Sequence, residues 1–204
     1  MSVQQRRARD REELRQEILD AARTLFAKEG FDSVSIRKIA DRIEYSPGTI
    51  YLYFKDKSDI FDTLCEETFG KLCRRLGAIV EDRGDPLDKL RRAGRAYIDF
   101  ALENPNHYLV TFVSKKDRLE SEDDLIRIHD SGSACFGKLQ LIVQQCIDEG
   151  LLRIPDVDEV SQSLWAAMHG LSMLLITCQS FPFIEHSRLI DRVVDISVEG
   201  IRKK

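Results

Sequence analysis

The chain has 204 residues, 43% hydrophobic and 32% charged, with a formal net charge of −4. That balance excludes a disordered or fibrous chain and suits one or two globular domains with a real core. No apolar run approaches the roughly 20 residues of a membrane span, and the opening MSVQQRRARDREEL lacks the apolar middle of a secretory signal, so a cytoplasmic protein with no membrane partner is expected.

Arg6, Arg7, Arg9 and Arg11 stand in a polar segment read as mobile, either a solvated tail or an arm along a DNA backbone. From Glu12, the residues Leu14, Ile18, Ala21, Ala22, Leu25 and Phe26 form a helical stripe that Gly30 ends. Ile36, Ile39, Ala40 and Ile43 then recur at i, i+3, i+4, i+7, which predicts a three-turn helix with Ser35, Arg37, Lys38, Asp41 and Arg42 outside. Ser46 is placed to cap a second helix with Pro47 at its first position. Thr49 to Phe54 continue it for about two turns, with Ile50 and Phe54 inward. So short and exposed a helix is a poor core element and a good probe.

Two helices joined by a tight turn make a helix-turn-helix, whose second member can enter the DNA major groove; a plain helical hairpin would show the same periodicity. The string Ile39-Ala40, Ser46-Pro47-Gly48-Thr49-Ile50-Tyr51, Phe54-Lys55-Asp56-Lys57 resembles the DNA-binding domain of the TetR family of bacterial transcriptional regulators, over roughly Glu12 to Leu64. One departure is Glu44, where many family members have Gly; Glu adopts positive φ less easily, so a different turn is expected. Residues 1–57 carry 12 Lys/Arg and 10 Asp/Glu, net +2, against net −6 for the remainder, so the basic surplus sits with the motif.

Asp56 caps a long helix whose inward positions are Ile60, Phe61, Leu64, Leu72, Leu76, Ile79 and Val80, a connecting rod about 36 Å long for 24 residues. Residues 81–86 (EDRGDP) read as a loop, followed by helices from about Leu87 to Glu103 and from His107 to about Ser114. Lys115 to Asp124 reads as a loop. Helices from Leu125 to Glu149, Val157 to Gln179 and His186 to Arg202 complete the chain, with Asp156-x-x-Glu159 at one start and Phe181-Pro182-Phe183 as a breaker. The expected fold is all-α with about nine helices: a DNA-binding domain over 1–57 and a helical ligand-binding and dimerisation domain over 58–204.

The last two long helices carry apolar residues on more than one side. The resemblance implies that they pair with a second copy, and Val160, Leu164, Leu171, Leu175, Leu189, Val193 and Ile196 are the expected dimer face; burial within one chain is the alternative. Tyr97, Phe100, Tyr108, Phe112, Phe136, Trp165, His169 and Met173 are candidate effector contacts, or core. Trp165, His169 and Gly170 (WAAMHG) look like the Trp and His-Gly positions of the WHG ligand-domain subfamily, which implies a small, largely apolar effector. His169 would hydrogen-bond it or be a satisfied core histidine.

Catalytic patterns are missing: there is no G-x-S-x-G, phosphate loop, dinucleotide glycine fingerprint or H-E-x-x-H, so no catalytic residue, cofactor or enzyme activity is expected. Cys65, Cys73, Cys135, Cys146 and Cys178 are odd in number and widely spaced, which suits reduced packing residues, one of them conceivable as a redox sensor, and no metal site. The resemblance implies a ligand-responsive transcriptional repressor that binds a palindromic double-stranded DNA operator as a homodimer, the alternative being a helical small-molecule-binding protein without DNA binding. Within that reading Ser35, Arg37, Ser46, Pro47, Gly48 and Thr49 face bases, and Tyr51, Tyr53 and Lys57 hold phosphates.

Overall fold

A computed structural model describes residues 2–113 and 122–203. Among these, nine helices run in order: α1 (Val3–Glu29), α2 (Ile36–Arg42), α3 (Pro47–Ile50), α4 (Lys57–Val80), α5 (Pro86–Glu103), α6 (Pro105–Phe112), α7 (Glu122–Asp148), α8 (Val157–Thr177) and α9 (His186–Ile201). The one extended pairing in the described residues is an isolated antiparallel bridge, Leu152 with Arg202. The expected loop over Lys115–Asp124 lies mostly outside the described residues, but its last three positions belong to α7.

Side-chain chemistry sets most of the helix ends. Asp85 Oδ1 accepts from the Asp88 amide at 3.0 Å, Asp156 Oδ1 from the Asp158 and Glu159 amides at 3.0 and 2.9 Å, and Asp56 Oδ1 from the Asp59 amide at 2.9 Å. Gly30 ends α1 with φ +78, a conformation in which a Cβ would be strained. The start of α1 differs from expectation. The helix begins at Val3 with a reciprocal cap between Ser2 and Gln5, so the arginine segment is helical rather than mobile. Its residues are good helix formers, and Arg9 pairs with Glu13 at 3.2 Å, one turn on.

By their contacts the residues fall into two compact units, Met1–Thr68 with Asn106–Ile128, and Phe69–Pro105 with His129–Lys204. In the first, Ile18, Leu19, Ala22 and Phe26 of α1 are buried with Ile36, Ile39, Ala40, Ile50, Phe54, Ile60 and Phe61. Phe26, Phe31 and Phe61 form an aromatic cluster with ring centroids 5.2 to 6.0 Å apart. Each such ring removed from water contributes about 1.5–3 kcal/mol, which helps α1 and α4 hold the very short α2 and α3 in place. Arg23 ties α1 to α4 through Glu67 at 3.2 Å.

In the second unit α5 lies against α8 and α9. Gly94 makes the crossing possible: a Cβ there would stand 3.2 Å from Met168 Sδ and 3.6 Å from Val194 Cγ2. Arg91 and Arg95 of α5 pair with Asp191, Asp195 and Glu199 of α9, which spaces an acidic ridge at i, i+4, i+8 along one helix face.

Candidate nucleic-acid interface and effector site

The motif is held by hydrogen bonds within it. Ser35 Oγ caps α2 by accepting from the Lys38 amide at 3.2 Å. The α2 helix has seven residues, two turns where three were expected, because Ile43 already leaves helical geometry. Glu44 itself takes the left-handed conformation, φ 61, and the Tyr45 amide returns to the Ala40 carbonyl at 3.0 Å. The turn with Glu in place of Gly thus closes as a Gly-containing turn would, with strain on a single exposed residue.

Ser46 Oγ then accepts from the Thr49 amide at 3.2 Å and lies 3.0 Å from Thr49 Oγ1. The α3 helix proper is a single turn, shorter than the two expected, yet amide-to-carbonyl bonds continue from Tyr51 to Phe54. Ile50 and Phe54 are buried at 0% and 3% exposure, and between them Tyr51 and Leu52 are 57% and 72% exposed. Two apolar anchors therefore hold an otherwise outward segment, with Pro47, Gly48 and Thr49 at its tip. Arg37 is exposed and makes no ion pair among the described residues. Tyr53 is half-buried, with the Arg11 guanidinium 5.8 Å from its ring centre.

Lys57 departs from a free phosphate-binding charge. Its ammonium donates to the carbonyls of Phe31 at 2.9 Å and Val34 at 2.8 Å and sits 3.9 Å above the Phe31 ring. Two of its three N–H groups are thereby committed to the chain. Those carbonyls lie 26 and 23 residues away, and nothing local in the sequence signals them.

Of the eight expected effector residues, four assemble in the second unit. Trp165 Nε1 donates to the Tyr97 hydroxyl at 3.2 Å, and that oxygen lies 3.1 Å from His169 Nδ1. The Trp165 ring lies tilted at 5.5 Å from His169 and meets Phe136 edge-on at 6.0 Å. Burial lowers the His169 pKa below its usual 6.5, favouring the neutral imidazole. Trp165 remains 39% exposed and Met173 half-buried on the same helix. Phe100 is a core residue at 4% exposure, while Tyr108 and Phe112 pair with each other at 4.7 Å in the first unit.

The expected dimer face needs correction. Val160, Leu164, Leu171 and Leu175 are buried within the chain at 1% to 7% exposure, so they are core. The outward line of α8 is Ser163, Ala166, Gly170, Leu174 and Thr177, with Leu174 49% exposed. On α9, Ile196 is 63% exposed, and Leu189 and Val193 are half-buried. Periodicity reveals that α8 has two apolar sides but not which one its own chain covers.

No group of three or more His, Cys, Asp and Glu is placed to hold a metal among the described residues, and no helix there is long and apolar enough to cross a membrane. The cysteines are free thiols; burial pushes those of Cys135 and Cys146 up to about 12.

Comparison with known proteins adds an independent line. Residues 18–64 match the family model of bacterial regulatory proteins, tetR family, and residues 90–197 match that of the tetracyclin repressor-like C-terminal domain. The HTH-type transcriptional repressor KstR2 of Mycobacterium tuberculosis is 28% identical over 144 residues, 71% of each chain. Among solved structures, the transcriptional regulator FadR of Bacillus subtilis, in complex with stearoyl-CoA, superposes with TM-score 0.77 at 23% identity over 91% of this chain and 98% of that one. The fatty acid degradation regulator FadR of Bacillus halodurans gives TM-score 0.77 at 18% identity, covering 93% and 97%.

Proposed function

This chain belongs to the TetR family and is a DNA-binding transcriptional regulator; from that premise we propose that it represses from a palindromic operator as a homodimer and is released by a small, largely apolar effector. The reading gives 1–57 to DNA and 58–204 to ligand and dimer, in the cytoplasm, with binding rather than turnover as the activity. The observation that carries it is the segment from Ser46 to Phe54, anchored by buried Ile50 and Phe54 while Tyr51 and Leu52 between them stay outside.

In this reading Ser35, Arg37, Ser46, Pro47, Gly48 and Thr49 approach base edges, and Tyr51 and Tyr53 hold phosphates. Arg37 is the guanine reader, since an exposed guanidinium with no ion pair among the described residues can donate two N–H groups to one base. Lys57 braces the domain through its bonds to the Phe31 and Val34 carbonyls. A two-fold dimer through the outward lines of α8 and α9 would present two such segments roughly 34 Å apart, one turn of the duplex.

The effector would lie against Trp165, Phe136 and Met173, with His169 as the polar handle. In FadR of B. subtilis the bound molecule is stearoyl-CoA, which has a long apolar chain. A ligand that favours one arrangement of the dimer by about 1–3 kcal/mol would weaken operator binding 5- to 150-fold. The test is a mobility-shift titration on DNA fragments from the flanking genomic region, with and without acyl thioesters and other apolar carboxylic compounds. Retardation that none of them relieves would end the effector half of the proposal; no retardation on any palindromic fragment would end the whole.

A further inference from the structure

The inward line of α1 changes chemistry partway along. In its C-terminal half the line consists of Ile18, Leu19, Ala22 and Phe26, all buried. Continued toward the start at helical spacing, it reads Arg15, Arg11, Arg7, each four residues from the next. Residues 4–13 are exposed, so these turns project past the core of their unit and bury nothing. The reciprocal Ser2–Gln5 cap nevertheless keeps them helical.

Two contacts fix where this line faces. The Arg15 guanidinium lies 5.3 Å from the centre of the Phe54 ring, and that of Arg11 lies 5.8 Å from the centre of the Tyr53 ring. The arginine row therefore stands beside the end of the outward segment. Arg7 is one turn further out, exposed, with no carboxylate partner among the described residues. Arg9, on another side, is taken up by Glu13 at 3.2 Å and Asp10 at 3.7 Å. The acidic residues Asp10, Glu13 and Glu17 fall together away from the row, while Glu12 lies beside it, 3.8 Å from Arg15, which leaves Arg7 and Arg11 as the members of the row with no carboxylate partner among the described residues.

We infer that Arg7, Arg11 and Arg15 form a second contact on duplex DNA, a rigid helix edge that binds the phosphates flanking the groove entered by residues 46–54. This rests on the DNA-binding reading above. Four residues of helix rise about 6 Å, so the guanidinium groups are spaced on the scale of successive phosphates along one strand. A row of like charges on one helix edge repels itself, and a line of phosphates relieves that repulsion. The contact carries no sequence information, so it serves affinity and register rather than discrimination.

The test uses the full chain, fluorescence anisotropy and a labelled random-sequence duplex of about 30 base pairs, where phosphate contacts dominate. In the double variant Arg7→Gln, Arg11→Gln, the slope of log affinity against log salt should be shallower by about 1.8, at 0.9 per phosphate. Between 50 and 200 mM salt the parent should then lose about 12-fold more affinity than the variant. Arg7→Glu alone, at an exposed side chain with no ion pair among the described residues, should weaken binding at every salt concentration with an unchanged melting curve, and it decides the matter if the double variant is unstable. Equal affinities and equal slopes would overturn the proposal while leaving DNA binding intact. A parent chain that binds no duplex would remove both.

Discussion

The hydroxyl of Tyr97 on α5 lies 3.1 Å from Nδ1 of His169 on α8 and also accepts from Trp165 Nε1 at 3.2 Å. The phenolic oxygen accepts from the indole, and its contact with Nδ1 is a donation by Tyr97 when the ring proton sits on Nε2 and a second acceptance when it sits on Nδ1; the neutral imidazole satisfies either. Burial favours that neutral form by lowering the His169 pKa.

That direction fixes a pH dependence. In the unfolded chain His169 titrates near 6.5, above its folded value, so the unfolded state takes the proton first as pH falls. The neutral ring contributes its stability fully above 6.5 and loses it as pH drops through 6.5 toward the folded value. Urea unfolding at pH 7.5 and 5.5 should show a larger loss for the parent than for His169→Gln. Equal losses would mean that the relay does not hold the neutral ring.

Glu44 carries a left-handed conformation for which glycine has no steric penalty. The penalty for an L side chain is about 1–2 kcal/mol, offset by the extra unfolded-state freedom of Gly, so Glu44→Gly should stabilise the chain by about 0.5–1 kcal/mol. Glu44→Val should destabilise it, since β-branching makes that region worse. Thermal melts of the two variants should move in opposite directions.

Arg37 and Lys57 should separate affinity from stability. Arg37→Ala removes an exposed group with no ion pair among the described residues and should leave the melting temperature in place, while costing about 1–3 kcal/mol of discrimination between operator and mutated site. Lys57→Ala strands two carbonyls and should lower unfolding free energy by about 1–3 kcal/mol, seen as a melt several degrees lower. A Lys57→Ala protein with unchanged stability and a flatter salt dependence would restore it to a purely phosphate-binding role.

The corrected α8 and α9 faces predict a second separation. Ile196→Asp, on an exposed position, should shift a dimer toward monomer in sedimentation or light scattering with little change in helicity. Leu171→Ala, at a position 7% exposed, should cost about 2–5 kcal/mol of folding free energy by leaving a cavity. Reversed outcomes would return Leu171 to the interface.

Much of this protein was readable from local chemistry. The bounds of α4 are as expected from Asp56 and the apolar period to Val80, and α5, α6, α8 and α9 begin or end within about two residues of their sequence signals. Caps, breakers and periodicity act over a turn or two, so the information sits in adjacent residues. The shortness of α2 and α3 was less legible, because an apolar residue at i+7 such as Ile43 can continue the pattern after the helix has ended.

By itself, then, the order of residues determined an all-α chain, the placement of the helix-turn-helix and the exposure of its tip. Tertiary structure alone decided that Lys57 spends its charge on carbonyls 23 and 26 residues back, that Tyr97 reaches His169 across 72 residues, and that the expected dimer leucines of α8 are core. The reason is physical: a helix's period reveals how many apolar faces it has, whereas which face meets its own chain is set by contacts between elements distant in sequence.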